Sequence, residues 1–156
     1  MQKIVPFIWL EKGAEEAAEF YCSVFKDGKI TSKSYYGENA MMPKGTLMAV
    51  NFTINGQDFS VLNGGPYYKI TPAISFLIKC KNQEEIDYFW EKLTENGGKE
   101  VQCGWLEDKF GVTWQVVPEN IDKYFCDTPN YKMVMDVLFK MKKLEIAVLE
   151  KAFKGE

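Results

Sequence analysis

The chain has 156 residues, 46 % hydrophobic and 26 % charged, with a formal net charge of −3, which fits one globular domain over 1–156 able to bury a core without disulfides or metal. Every basic residue is a lysine and neither Arg nor His occurs, so Ser-His-Asp and Cys-His catalysis, His-ligated zinc or iron and a guanidinium clamp for carboxylate or phosphate are excluded. Charges of both signs are interspersed without a basic run, so the footprint for nucleic acid or an anionic membrane is missing and a small molecule or protein is the expected partner.

The apolar run from Ile4 to Leu10 reads as an opening strand, too short to span a membrane and without a small-residue cleavage pattern after it. Ala14 to Phe25 follows as an amphipathic helix with Ala17, Phe20, Tyr21 and Val24 at helical spacing, closed by Asp27-Gly28. Ile30 to Tyr36, Leu47 to Ile54 and Asp58 to Asn63 read as three strands, the last two joined by the hairpin dipeptide Asn55-Gly56. Gly37 to Gly45 is a surface loop, and Gly64-Gly65-Pro66 marks a joint.

A second pass of the same kind begins at 73. Ala73 to Lys79 is a strand and Gln83 to Asn96 a helix with Ile86, Phe89, Trp90 and Leu93 on one face. Three short strands follow at Lys99 to Gln102, Trp105 to Asp108 and Val112 to Val117, with Asp108 placed to stabilise the turn at Phe110-Gly111. Pro118 to Phe125 and Tyr131 to Phe153 are helical by pattern, the longer segment capped by Asp127 or Thr128 and breaking near Lys142-Lys143. Its stripe of Val134, Val137, Leu138, Met141, Leu144 and Val148 either docks on its own domain or forms a dimer contact. Cys22, Cys80, Cys103 and Cys126 form no CxxC pair and read as buried free thiols in a reducing cytoplasm.

The two passes are copies. At a shift of 69, Phe7 meets Phe76, Glu15 and Glu16 meet Glu84 and Glu85, Phe20 meets Phe89, Tyr21 meets Trp90, Val24 meets Leu93 and Gly28 meets Gly97. Two tandem βαβββ units follow, over 4–63 and 73–118, with C-terminal helices over 119–156, an α+β architecture in which the copies pair to bury their apolar faces.

The duplicated unit, with "EEAAEFY" in its first helix and "GWLEDKFGVTWQVVP" before the end of its second copy, resembles the vicinal oxygen chelate superfamily of glyoxalase, bleomycin-resistance and dioxygenase proteins, and within it the PhnB-like group. The resemblance implies two half-sheets forming a cup, helices outside and ligand inside; a homodimer is the expected assembly. Some members carry the label 3-demethylubiquinone-9 3-methyltransferase, yet the chain has no glycine-rich strand-to-helix turn of the kind that holds a methyl donor. The metal positions of the superfamily, carried over on the helix motif and the last turn, fall on Pro6, Leu62, Ser75 and Gln115. None is a carboxylate or imidazole, so neither metal nor other cofactor is expected.

By strand parity, Ile4, Pro6, Ile8, Ser60, Leu62, Ser75, Leu77, Lys79, Thr113, Gln115 and Val117 face the cup, while Phe7, Trp9, Val61, Phe76, Ile78 and Trp114 face the helices. Among these, Ser60, Leu62, Ser75, Thr113 and Gln115 are expected to contact a small apolar or aromatic ligand, with Gln115 favoured because a buried amide needs partners. Ser75 and Thr113 serve equally well as backbone hydrogen bonders, Lys79 is either in the cup or in solvent at a strand end, and Trp105 either stacks on ligand or covers a sheet edge. No residue is assigned a catalytic role. The expected function is metal-free small-molecule binding; the alternative is a metal-dependent enzyme of the glyoxalase or dioxygenase kind with atypical ligands.

Overall fold

The structure, a computed structural model, describes residues 4–156 and divides into two compact units, the first running to Ile70 and the second from Thr71. The first contains β1 (Phe7–Leu10), α1 (Ala14–Val24), β2 (Lys29–Tyr35), β3 (Leu47–Ile54) and β4 (Gln57–Asn63). These strands form one mixed sheet in the order β1-β4-β3-β2, with β1 parallel to β4 and the other neighbours antiparallel. The second repeats the plan with β5 (Phe76–Cys80), α2 (Gln83–Thr94), β6 (Lys99–Glu100), β7 (Trp105–Glu107) and β8 (Thr113–Pro118), ordered β5-β8-β7-β6. It again pairs the first and last strands in parallel. Each unit is therefore βαβββ, and the chain is α+β. Parallel pairing needs a long crossover, which the helix and two strands supply each time.

The helices α1 and α2 start where helical spacing predicts them, but the shift of 69 does not hold throughout. It aligns the helix starts Ala14 and Gln83 and the buried pairs Tyr21 with Trp90 and Val24 with Leu93. In the first strands the buried residues are Ile8 and Leu10 against Ile78 and Cys80, a shift of 70 (78 − 8 and 80 − 10). The first copy has one extra residue between strand and helix, and Gly13 takes it up at φ 86. Gly28 likewise matches Gly98, not Gly97. A Cβ at either position would lie under 3.0 Å from the backbone of the preceding helix, whereas Gly97 is needed for its φ of 110.

β1 is shorter than expected because Pro6 has no N–H to donate, and β5 starts at Phe76 rather than Ala73. The Pro6 carbonyl still accepts from the Ser60 N–H at 2.9 Å. The C-terminal segment is not one helix but α3 (Tyr131–Leu138) and α4 (Ile146–Lys154), preceded by a 3-10 turn over Ile121–Phe125. The break surrounds Lys142-Lys143, where the Met141 and Lys142 carbonyls accept from the N–H groups of Cys103 (2.8 Å) and Gly104 (2.7 Å). Neither Asp127 nor Thr128 caps α3 through its side chain. Asn130 stands at the cap position and its amide crosses to the Phe153 carbonyl, 3.0 Å away.

The extension packs on its own unit, as one of the two readings of its stripe required. Val134, Leu138, Leu144 and Leu149 are buried with Val117, Ile121 and Tyr124, while Val148 lies outside this core, exposed. Its polar ties reach α2. The Gln83 side chain donates to the Leu144 carbonyl (3.0 Å) and accepts from the Ile146 N–H (2.9 Å), and Lys143 pairs with Asp87 at 2.5 Å. Of the cysteines, Cys80 is buried but Cys126 is exposed, against the expectation that all are buried.

Candidate functional site

Each sheet has one face against its own helix. In the first unit Tyr21 of α1 stacks on Phe52 of β3, which stacks on Phe59 of β4, fixing Val50, Phe52, Phe59 and Val61 on the helix side. The register Val50↔Val61 and Ile8↔Val61 carries that side to Ile8. Paired residues in neighbouring strands share a face, so Phe7 and Trp9, opposite Ser60 and Leu62, occupy the open face. This reverses the expected parity of β1: Ile8 is core, and Phe7, 61 % exposed, is open. Trp9 is not helix-side core either. Its indole N–H donates to the Gly65 carbonyl at 3.0 Å and its ring meets Tyr68 edge-on at 5.0 Å.

Across the open face of the first sheet runs a polar row. Ser32, Asn51 and Ser60 are register partners on β2, β3 and β4. The Ser60 hydroxyl donates to Asn51 Oδ1, and Asn51 Nδ2 donates to Ser32 Oγ at 2.8 Å. Leu62 lies two residues along, beside Trp9. The sequence signal for Asn51 is an amide within the otherwise largely apolar Leu47–Ile54, but its link to Ser32 and Ser60 needs the cross-strand register.

In the second unit the expected parity of Leu77, Trp114 and Gln115 holds, whereas Val117, expected in the cup, is buried in the core of the C-terminal extension. Trp114 and Val116 are buried on the helix side, and Gln115 stands between its register partners Trp105 and Leu77 on the open face. The Gln115 amide donates to Ser75 Oγ at 2.7 Å, so the structure brings Gln115, Ser75 and Trp105 together. Thr113, two residues back, is buried opposite Glu107. Lys79 lies at the far end opposite Val117, exposed, with Nζ 3.4 Å from Asp122, so it follows the strand-end reading. Ser60 and Leu62 belong to the other sheet. Asp108 does order its turn: its carboxylate accepts from the Phe110 N–H (2.8 Å), the Val112 N–H (3.1 Å) and the Trp114 indole (2.8 Å).

Three of the acidic groups with perturbed protonation tie down the C-terminal extension. Hydrogen bonds from Lys123 and then Tyr124 keep Glu150 below the ordinary carboxylate range, and Lys143 followed by Gln83 does the same for Asp87. Glu100 is lowered by the Trp90 indole and then by Lys142. Among the thiols, Cys80 is pushed up to about 12 by burial and by Glu85, the unreactive form of a cysteine. Among the described residues no group of three or more His, Cys, Asp or Glu side chains is placed to hold a metal ion.

A βαβββ unit repeated in tandem, its first and last strands parallel neighbours, is the plan of the vicinal oxygen chelate fold, and comparison with solved structures agrees. The fosfomycin resistance protein FosX of Listeria monocytogenes matches 80 % of this chain and 97 % of its own at TM-score 0.58 and 14 % identity. Protein PA1353 of Pseudomonas aeruginosa does so over 76 % and 98 % at TM-score 0.62 and 20 % identity; both show the fold alone. A PhnB protein from Bacillus cereus, provisionally described as a 3-demethylubiquinone-9 3-methyltransferase, is 37 % identical over 74 % of this chain and 99 % of its own, at TM-score 0.66. The family model described as 3-demethylubiquinone-9 3-methyltransferase covers residues 2–117. The chain belongs to this PhnB-like family. No curated protein matches it. No helix among the described residues is long and apolar enough to cross a membrane.

Proposed function

We propose that this PhnB-like protein, as one functional domain in the cytoplasm and as a homodimer, binds a small apolar or aromatic molecule without a metal. The observation that carries the reading is the Gln115–Ser75 pair on the open face of the second sheet, flanked by Trp105 and Leu77. Aromatic and aliphatic side chains around a neutral amide and hydroxyl suit an uncharged organic ligand. The corrected parity of β1 leaves the metal argument intact, because Phe7 and Trp9 can no more ligate a divalent ion than Pro6 can. Methyl transfer has no support in the joints between strand and helix. These are Glu11-Lys12-Gly13 and Lys81-Asn82, neither a glycine-rich phosphate or nucleoside cradle.

Native mass spectrometry with elemental analysis of the purified protein tests this. A copurifying organic compound, lost in Gln115→Leu, with substoichiometric divalent metal is the expected result, and that compound raises the thermal midpoint of the native protein. Stoichiometric metal released by substitutions on the open faces would establish the metal-dependent alternative. Saturable binding of an S-adenosyl methyl donor would restore the methyltransferase.

A further inference from the structure

The middle row of the second sheet's open face holds more hydrogen-bonding capacity than the protein uses. Leu77, Gln115 and Trp105 are register partners on β5, β8 and β7, and Val101 follows, its N–H on the Trp105 carbonyl at 2.9 Å. Gln115 gives one amide hydrogen to Ser75 Oγ. A carboxamide has two donor hydrogens and an accepting oxygen, and a hydroxyl has one hydrogen. The second Gln115 hydrogen, Gln115 Oε1 and the Ser75 hydroxyl hydrogen therefore have no partner among the described residues. With the amide turned over, Ser75 donating to Oε1, it still keeps a free N–H and an open lone pair.

Its neighbours repeat the pattern. Trp9, Trp90 and Trp114 each give the indole N–H to a protein acceptor, at 3.0, 2.8 and 2.8 Å, but Trp105 gives its own to none of the described residues. Thr113, on the same face two residues from Gln115, is 4 % exposed, and its hydroxyl is likewise without a partner there. Covering such groups with a hydrocarbon would strand them, so an occupant of this face must bring donors and acceptors of its own. Of the strand residues on this face, Lys99 and Glu107 pair with each other at 2.8 Å and Lys79 pairs with Asp122 at 3.4 Å. Those ion pairs lie off the middle row, and hydrogen bonds make the selection within it.

We propose that the open face of the second sheet binds a flat heterocycle carrying an N–H next to a carbonyl, a lactam-type edge. The ligand carbonyl accepts from the Gln115 amide, the ligand N–H donates to Gln115 Oε1, and the ring lies against Trp105, one strand spacing of about 5 Å away. Two adjacent ligand atoms then satisfy both ends of one amide, as a glutamine does at the edge of a nucleobase. This rests on the small-molecule reading above and adds the chemical class and the residues that select it. Gln115 chooses the edge and Trp105 the ring; no bond is made or broken.

The probes are 2-quinolone, coumarin and naphthalene, titrated into the intact 15N-labelled protein. Coumarin has the shape of 2-quinolone with a ring oxygen in place of the N–H, and naphthalene lacks both groups. The Gln115 side-chain amide signals, assigned by their loss in Gln115→Glu, and the Trp105 indole signal, assigned by its loss in Trp105→Phe, shift saturably with 2-quinolone. Coumarin and naphthalene each bind at least about tenfold more weakly, the value of one hydrogen bond. In Gln115→Leu the advantage of 2-quinolone over coumarin disappears. Equal affinity for 2-quinolone and coumarin in the unsubstituted protein, a comparison that needs no variant to fold, would overturn this inference and leave the wider reading in place. Silence of both signals with all three probes overturns it as well, and the wider reading falls with it only if no compound copurifies.

Discussion

The two copies of the βαβββ unit solve the same backbone problems with different side chains. Both close their last hairpin with a carboxylate. In the first copy the acid comes from outside the turn: exposed Asp27, after α1, accepts from the Asn55 and Gly56 N–H groups at 2.9 and 3.2 Å. In the second copy Asp108 belongs to the turn itself, is 2 % exposed and also holds the Trp114 indole. Both copies also tie the residue after the last strand to the end of the first, Gly64 N–H to the Leu10 carbonyl (2.8 Å) and Glu119 N–H to the Cys80 carbonyl (2.7 Å). The first copy requires glycine there because the Trp9 ring occupies the space. At the matching place in the second copy Lys79 turns to Asp122, and a glutamate is tolerated. Duplication has preserved the hydrogen-bond plan of the backbone while each open face acquired its own surface.

The hairpin acids offer the sharpest way to break this comparison. Asp108→Ala strands two backbone N–H groups and an indole in a buried site, an expected loss of about 3 kcal/mol or more. Asp27→Ala, at an exposed turn that water can serve, should cost about 0.5–1 kcal/mol. Urea unfolding of both variants measures the gap; equal losses would mean the turns are not differently supported.

Next in size is the crossing after the last strand. A Cβ at Gly64 would sit 2.2 Å from the Trp9 ring, so Gly64→Ala should destabilise by about 1–3 kcal/mol, whereas Glu119→Ala should stay within about 0.5 kcal/mol. The double variant Trp9→Ala/Gly64→Ala should recover part of the loss relative to additivity. Strict additivity would show that Trp9 is not the obstacle.

The smallest effect separates the units by pH. Glu150, Asp87 and Glu100 are held below their ordinary values and all face the C-terminal extension. Their contribution is therefore present above the unfolded carboxylate range near about pH 4 and is lost as pH falls through the lower folded values. Lys143, raised chiefly by Asp87, works with the opposite sign: its contribution is present below the unfolded lysine range and is lost as pH rises through the folded value. The groups are partly exposed, so each should contribute under about 1 kcal/mol. Hydrogen exchange at pH 3, corrected for intrinsic rates, should accelerate in α3 and α4 more than in α1; uniform acceleration would mean that these pairs do not hold the extension.

Much of the scaffold was legible in the sequence because its signals are local. Helical spacing located α1 and α2, and Asn55-Gly56 gave the hairpin, with φ of 52 and 72 at its two residues. The face of β1 was not legible. Phe7–Leu10 is apolar at every position, so no alternation marks an inside, and only the pairing with β4 decides it. Nor could helical periodicity reveal that Cys103 and Gly104 would capture the carbonyls that end α3's continuation. On the open faces Gln115 stood out as a lone amide in an apolar strand, whereas the Ser32–Asn51 contact joins residues 19 apart in sequence and depends on a bulged register in β2.

Gln83 reads the extension through main-chain atoms, the Leu144 carbonyl and the Ile146 N–H, and Cys103 and Gly104 do the same at Met141 and Lys142. An attachment addressed to the backbone is indifferent to most side chains of the segment it grips. The main-chain part of the grip thus tolerates drift in sequence, and what ties the seam to particular residues is Lys143 with Asp87 and the buried Leu144.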